Sequence, residues 1–207
     1  MKSESFTKHL LQAGFLVFFT VCVLIFFCSE GAAQVIPHID SGKWSDKYDV
    51  HFAKYSKRFF GPGFDWKWFK SQAAAESGLR SNAESWAGAK GIMQIVPGTF
   101  AEIQEKNPTF TNIGEPRWNI AAGIYYNRQQ YRRWSDISAV DERRKFMFAS
   151  YNAGRGTILN AQRVSMQEGF QGVSWREIET IAPKVPRWRH EETLNYIRRI
   201  HTLMNVK

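Results

Sequence analysis

The sequence predicts a mainly α fold, one helical domain behind an N-terminal signal segment. Three observations carry this. Apolar residues recur at three- and four-residue spacing through most of the chain. No segment alternates apolar and polar residues as a strand would, and no repeat or low-complexity linker divides the 207 residues. A charge-free apolar run from Ala13 to Cys28, preceded by Lys2 and Lys8, stands apart from everything after it.

That run leads into Ser29-Glu30-Gly31-Ala32-Ala33, where Gly31 and Ala33 suit the −3 and −1 positions of a signal-peptidase site. Residues 1–33 are therefore expected to be a signal peptide cleaved after Ala33, delivering the domain across the cytoplasmic membrane. An uncleaved anchor is one alternative, although the run is shorter than the roughly 20 residues that span a bilayer. A lipoprotein cleaved before Cys28 is the other, and bulky Phe27 fits that site poorly.

Residues 34–56 read as a lead-in and first helix. Pro37 and Gly42 break the start, and Tyr48, Phe52 and Tyr55 mark a helix closed by Gly61-Pro62-Gly63. Residues 57–207 are expected to form the main body. Asp65 can cap a second helix, and Pro97 opens a third that runs to about Asn107. Asn112, Gly114 and Pro116 make the stretch 108–118 a loop. Asn119 is expected to cap a helix to about Trp134, with Ile120, Ile124, Tyr125 and Tyr131 inward. Asp141 is expected to cap the next, broken by Gly154 and Gly156. Helices from Ile158 to Gly169, Trp175 to about Ile181 and Glu191 to Met204 complete the chain.

Composition narrows the function classes. A chain that is 43% hydrophobic and 23% charged is an ordinary globular one, large enough for a sizeable core. The formal charge of +9 suits a polyanionic partner. Its basic residues are dispersed, however, and the secretory signal opposes nucleic acid. Both cysteines, Cys22 and Cys28, fall in the signal run, so the mature domain has neither a disulfide nor a cysteine metal site. His38, His51, His190 and His201 have no ligand spacing, and no metal or cofactor is expected. All eight tryptophans follow the signal; aromatic faces suit sugar rings, but most tryptophans in a small domain pack in its core.

The chemistry concentrates between Asp65 and Gln94. At about 100° per residue, Trp66, Phe69, Ala73 and Glu76 fall on one helical face, while Lys67, Lys70 and Gln72 are expected to reach solvent. A carboxylate on the core side is costly as an ion, so its pKa should rise toward the range a general acid needs. The bland alternative is that Glu76 turns sideways to pair with Arg80. Gly88-Ala89-Lys90-Gly91-Ile92-Met93-Gln94 then supplies a tight glycine-punctuated turn, suited to lie against a ligand. No second acidic residue stands out as a partner for Glu76, and Glu84 reads as a solvated loop residue.

Four blocks in order resemble the lytic transglycosylases that carry the catalytic domain of the soluble lytic murein transglycosylase (SLT). They are Glu76-Ser77, Gly88–Gln94 with Pro97, Tyr151-Asn152-Ala153-Gly154, and Glu192-Thr193-Leu194-Asn195-Tyr196. Ser150 stands where the family has Ala. The resemblance spans roughly Asp65 to Met204 and implies a lysozyme-like fold with Glu76 as the catalytic acid. It implies substrate-binding or acid-orienting roles for Ser77, Met93, Gln94, Tyr151, Asn152, Glu192 and Tyr196. Gln94 would hold an acetamido group or fix the Glu76 carboxyl, Met93 would offer an apolar wall and a backbone contact, and Tyr151 would orient Glu76 or a sugar hydroxyl. Asn152 reads equally as a turn residue, and Glu192 as a carboxylate favoured at a helix N-terminus. The implied substrate is the glycan strand of peptidoglycan, cleaved between N-acetylmuramic acid and N-acetylglucosamine to leave a 1,6-anhydro sugar. A monomer acting in the periplasm or cell envelope is expected, with envelope machinery as a further partner. A lysozyme-type hydrolase on the same fold and a non-catalytic wall-binding secretion component are the alternatives.

Overall fold

The computed structural model describes residues 36–205. The expected signal segment, its cleavage site and both cysteines lie outside them. The described residues form α1 (Asp49–Phe60), α2 (Lys67–Ser77), α3 (Pro97–Lys106), α4 (Pro116–Arg133), α5 (Val140–Ala153), α6 (Arg155–Gln167), α7 (Trp175–Ile181), a 3-10 turn (Ala182–Lys184) and α8 (His190–Leu203). Two isolated bridges, Glu84 with Lys90 and Lys90 with Ile95, are the only β pairing among the described residues. The mainly helical reading holds.

α2 carries Glu76 and lies between α1 and α8. Its start is set by Asp65, whose Oδ1 accepts from the Lys67 N–H at 2.9 Å. Its end is set by Gly78, left-handed at φ +64°, whose N–H returns to the Ala74 carbonyl at 3.1 Å. Between them the helix is apolar on one side and enclosed on most others. Phe69 packs between Phe60 and Phe64 (5.0 and 5.1 Å between ring centres), and both Trp68 and Phe69 meet Phe148 of α5. α1 and α8 flank it. Lys70 and Gln72, expected in solvent, are 4% and 0% exposed. Lys70 survives burial by pairing with Asp49 of α1 at 2.8 Å, and Gln72 by a hydrogen bond at each end of its amide. Periodicity identifies the most apolar face of a helix; it does not reveal that neighbours cover the remaining faces as well.

Several boundaries differ from the sequence reading. α4 begins at Pro116, with Glu115 at the cap position, so the loop before it is shorter than expected and Asn119 lies inside the helix. Proline at the first helical position outweighs an asparagine three residues later, because its missing N–H would be unsatisfied there anyway. α5 begins at Val140 rather than after a capping Asp141, which instead pairs with Arg144 one turn on. Gly154, at φ +81°, ends α5, and the chain re-enters a helix at Arg155. Gly156 therefore sits within α6 and breaks nothing. α6 stops at Gln167, short of Gly169. The expected boundary between residues 56 and 57 falls inside α1.

Asn119 has another task. It is 1% exposed; its Oδ1 accepts from the Met93 N–H at 2.7 Å, while Nδ2 donates to the carbonyls of Lys90 (2.8 Å) and Ile113 (3.0 Å). Through it, α4 clamps the glycine turn to the body of the domain. Gly91 is what lets the amide come so close. Its φ is +76°, and a Cβ there would lie 2.6 Å from Asn119 Nδ2.

Asn119→Ala leaves the Met93 N–H and the Ile113 carbonyl without partners, while the Lys90 carbonyl keeps the Ile95 N–H, and is expected to cost about 2–4 kcal/mol of folding stability. Chemical denaturation checks this. A loss under about 0.5 kcal/mol would mean that the amide is not the clamp.

Candidate active site

Glu76 occupies the last turn of α2, at the edge of the core that the helix builds. It opens on one side into a cavity of about 380 Å³, whose walls include Asn152, Glu192, Asn195, Tyr196 and Arg199. Burial is the first reason that its carboxyl is pushed up, from an ordinary 4.5 to about 7. The nearby charge of Glu192 adds to this, and a hydrogen bond from Tyr196 opposes it. The C-terminal end of a helix, where free carbonyls point, is also an unfavourable place for a negative charge.

The Tyr196 bond fixes the carboxyl. Its hydroxyl donates to Glu76 Oε1 at 2.5 Å and accepts from Gln72 Nε2 at 3.0 Å. Tyr196 lies one turn after Glu192 on α8, so a single helix delivers both the hydrogen bond and the second carboxylate. Burial, followed by the Glu76 charge, holds the phenols of Tyr196 and Tyr151 well above their ordinary range. Both remain neutral donors.

Several expected site residues build the cavity without lining it. Ser77 is buried, its hydroxyl donating to the Ile92 carbonyl at 2.8 Å; it joins α2 to the glycine turn instead of facing a ligand. Met93 was expected to wall the cavity, but its side chain is fully buried against Gly123. Its carbonyl accepts from the Tyr151 hydroxyl at 2.7 Å. Tyr151 is thereby committed to the turn and makes no hydrogen bond to Glu76. Gln94 likewise makes none. Its Nε2 donates to the carbonyls of Ala83 (3.2 Å) and Gly91 (2.9 Å), bracing a turn in which its own φ is +48°. Asn152 lines the cavity while Gly154 makes the turn, which removes the turn-closing role considered for it.

Glu192, which the resemblance set among the substrate-binding or acid-orienting residues, shares the Glu76 cavity and puts a second carboxylate there. It is exposed and paired with Arg189 at 3.5 Å. A smaller cavity of about 190 Å³ continues past Asn152 and Glu192 toward Arg187, Trp188 and Arg189. Glu84 stays in the solvated loop, 3.7 Å from Lys90. Among the described residues no three His, Cys, Asp or Glu side chains gather as metal ligands. Four of the eight tryptophans, at 68, 134, 175 and 188, are core residues, whereas Trp86 stands almost wholly in solvent.

Sequence reasoning missed Gln72, Asn195 and Arg199. Gln72 precedes Glu76 by four residues, so helical geometry already set the two side by side. The signal was present but was masked by reading Gln72 as a solvent-side polar residue. Asn195 and Arg199 carried no signal beyond their place on the helix of Glu192 and Tyr196.

The arrangement can present one proton from an enclosed carboxyl to a ligand in an open cleft. The chain is similar to known proteins in sequence and in fold. Residues 60–173 match the family described as the transglycosylase SLT domain. The chain is 27% identical over 150 residues to a membrane-bound lytic murein transglycosylase F of Shewanella pealeana, covering 72% of this chain and 29% of that one. It is 28% identical over 155 residues to one from Desulfosudis oleivorans, covering 70% and 33%. The chain thus spans about a third of the length of these relatives. In fold it is similar to the 70 kDa soluble lytic transglycosylase of Escherichia coli, with a TM-score of 0.57 and 22% identity over 78% of this chain and 24% of that one. An inactive Glu-to-Gln variant of the lytic transglycosylase Slt from Pseudomonas aeruginosa gives the same values. The match covers more than half of the sequence and includes the helix that bears Glu76 and the glycine turn: this chain belongs to the transglycosylase SLT domain family.

Proposed function

We propose that the protein is a peptidoglycan lytic transglycosylase that cleaves the β-1,4 bond between N-acetylmuramic acid and N-acetylglucosamine without consuming water. The observation that carries this reading is the enclosed carboxyl of Glu76, held protonated near neutrality and hydrogen-bonded at one oxygen by Tyr196. Glu76 gives its proton to the glycosidic oxygen as the bond from muramic acid C1 breaks. The resulting carboxylate takes the proton of the muramic acid 6-hydroxyl while that oxygen closes onto C1. The acid is regenerated and the product ends in 1,6-anhydro-N-acetylmuramic acid. A tethered hydroxyl has the advantage over water, since well-oriented intramolecular attack reaches effective molarities of about 10⁵–10⁸ M.

Asn152, Asn195 and Arg199 supply amide and guanidinium donors for the sugar substituents along the cleft. Ser77, Met93, Gln94 and Tyr151 serve the reaction by holding the glycine turn beside α2. The apolar segment at residues 13–28 and the relatives' description as membrane-bound support action outside the cytoplasmic membrane, in the periplasm or cell envelope. Wall remodelling or local opening of the wall for an envelope-spanning machine is the setting that fits. No helix of the described residues is long and apolar enough to cross a membrane.

One observation favours a second reading. Glu192 shares the cavity with Glu76, and a hydrolase of the lysozyme type needs such a pair, one acid and one base or nucleophile. Its exposure and its pairing with Arg189 favour a supporting role over activation of water. Digestion of purified peptidoglycan in heavy-oxygen water separates the two. The transglycosylase reading expects anhydro ends without label, from the parent and from Glu192→Gln alike. Labelled reducing ends that vanish in Glu192→Gln would establish the hydrolase instead.

Glu76→Gln removes the proton donor with little change of shape, and wall lysis should fall by at least about 10²–10⁴-fold. A folded variant that lyses at the parental rate would refute the assignment.

The pH dependence follows in sign. Catalysis requires protonated Glu76, so the rate should fall as pH rises through about 7. Stability moves the same way. The folded state holds this proton more tightly than the unfolded state, whose carboxyl titrates near 4.5, so Glu76 costs nothing below that pH and an increasing amount up to about 7. Relative to the parent, Glu76→Gln should gain about 2–3 kcal/mol between pH 4.5 and 7, less where the cleft screens the charge. Parallel stability profiles for the two proteins would show that Glu76 titrates normally.

A further inference from the structure

Behind Glu76 runs a chain of side chains whose hydrogen-bond directions can be assigned one after another. It starts at the carbonyl of Gly123 in α4, which can only accept. The atom of Asn127 that meets it, at 3.0 Å, is therefore the amide nitrogen Nδ2. That nitrogen also donates to Gln72 at 2.7 Å, so the Gln72 atom facing it must be the carbonyl oxygen Oε1. The other end of the Gln72 amide is then Nε2, which donates to the Tyr196 hydroxyl oxygen at 3.0 Å. Because that oxygen is accepting, the single proton of Tyr196 is free for Glu76 Oε1 at 2.5 Å. Gln72 and Asn127 are fully buried and Tyr196 nearly so.

We propose that Gln72, backed by Asn127, is a positioning residue that compels Tyr196 to donate to Oε1 of Glu76 and thereby assigns the transferable proton of the acid to Oε2. Its relevance to catalysis rests on the glycan-cleaving reading above; the hydrogen-bond assignment does not. A protonated carboxyl beside an uncommitted tyrosine has two choices. It can accept from the phenol and present its own proton on the far oxygen, or it can donate into the phenol and turn its proton toward the protein. The second arrangement is useless to a general acid. With one lone pair of the Tyr196 oxygen filled by Gln72, the first is favoured, and hydrogen bonds aligned in one direction strengthen one another. No side chain in the chain carries a charge, so a dipole is fixed without a buried ion.

Other groups that face Glu76 are Glu192, Tyr196 and Arg199 from α8 and Tyr151 from α5. A substitution that merely loosened the fold would disturb all of them; the proposed role acts through Tyr196 alone. The test is therefore a cycle. The titration midpoint of the Glu76 carboxyl is followed by carbon-13 NMR in the parent, Gln72→Met, Tyr196→Phe and the double variant, with the resonance assigned by its absence in Glu76→Gln. Gln72→Met keeps the volume and removes both hydrogen bonds. It should raise the midpoint by about half to one pH unit, the size of one hydrogen bond's preference for the ionised carboxylate. In the Tyr196→Phe background the same change should do nothing. If Gln72→Met does not fold, Asn127→Ala, which frees the Gln72 amide to flip, should give a smaller upward shift that is likewise absent without the Tyr196 hydroxyl. An unchanged midpoint, or equal shifts in both backgrounds, overturns the proposal. No substrate is needed, so a failure here is distinct from a failure of the glycan reading, which would appear as a parent protein that leaves peptidoglycan intact. Where the parent is active, Gln72→Met should lower kcat by up to about 10²-fold with KM little changed.

Discussion

The hydrogen bond from Tyr196 to Glu76 joins residues 120 positions apart, and the site depends on it. Glu76 arrives on an early helix and Tyr196 on the last, so neither has a defined neighbour until α8 has docked against α2. The Ile39 N–H reaches the Leu203 carbonyl at 2.8 Å, and the lead-in is thus held by the same final helix. Site assembly and completion of the fold are one event. Closing so long a loop costs entropy, which the apolar contacts of α8 (Leu194, Ile197, Ile200 and Leu203) offset.

Two effects on the Glu76 carboxyl oppose each other. Enclosure at the end of α2 makes the carboxylate costly, while the Tyr196 hydroxyl partly relieves that cost. Enclosure alone would leave a group too reluctant to ionise between the two halves of a reaction; the hydrogen bond alone would leave it ionised from the outset. A midpoint near 7 gives one group comparable access to both states. In the proposed reaction a single carboxyl acts first as acid and later as base, and Glu192 contributes its charge from the cleft wall.

The sequence made much of this legible, for definite reasons. Glu76 was visible because it shares a face with Phe69 and Ala73, where a carboxylate has no structural excuse. Helix starts at Pro97 and Trp175 were visible because local chemistry sets them. What stayed hidden depends on contacts between distant segments. Asn119 looked like a cap because an asparagine before an apolar run usually is one; only the arrival of the glycine turn reveals it as a clamp. Met93, Gln94 and Tyr151 read as ligand groups because the resemblance implied it, yet Tyr151 donates to the Met93 carbonyl and Gln94 to the carbonyls of Ala83 and Gly91. Lys70 and Gln72 looked solvated because their partners, Asp49, Tyr196 and Asn127, come from three other helices.

The proposed role of Glu76 requires that its carboxyl hold a proton near neutral pH inside the folded domain. A carbon-13 titration of that one carboxyl in the native protein reads this without substrate or assay. The account predicts a midpoint near 7, moving upward when the Tyr196 hydroxyl is removed. A midpoint between about 4 and 5, the range of a solvated glutamate, would contradict it.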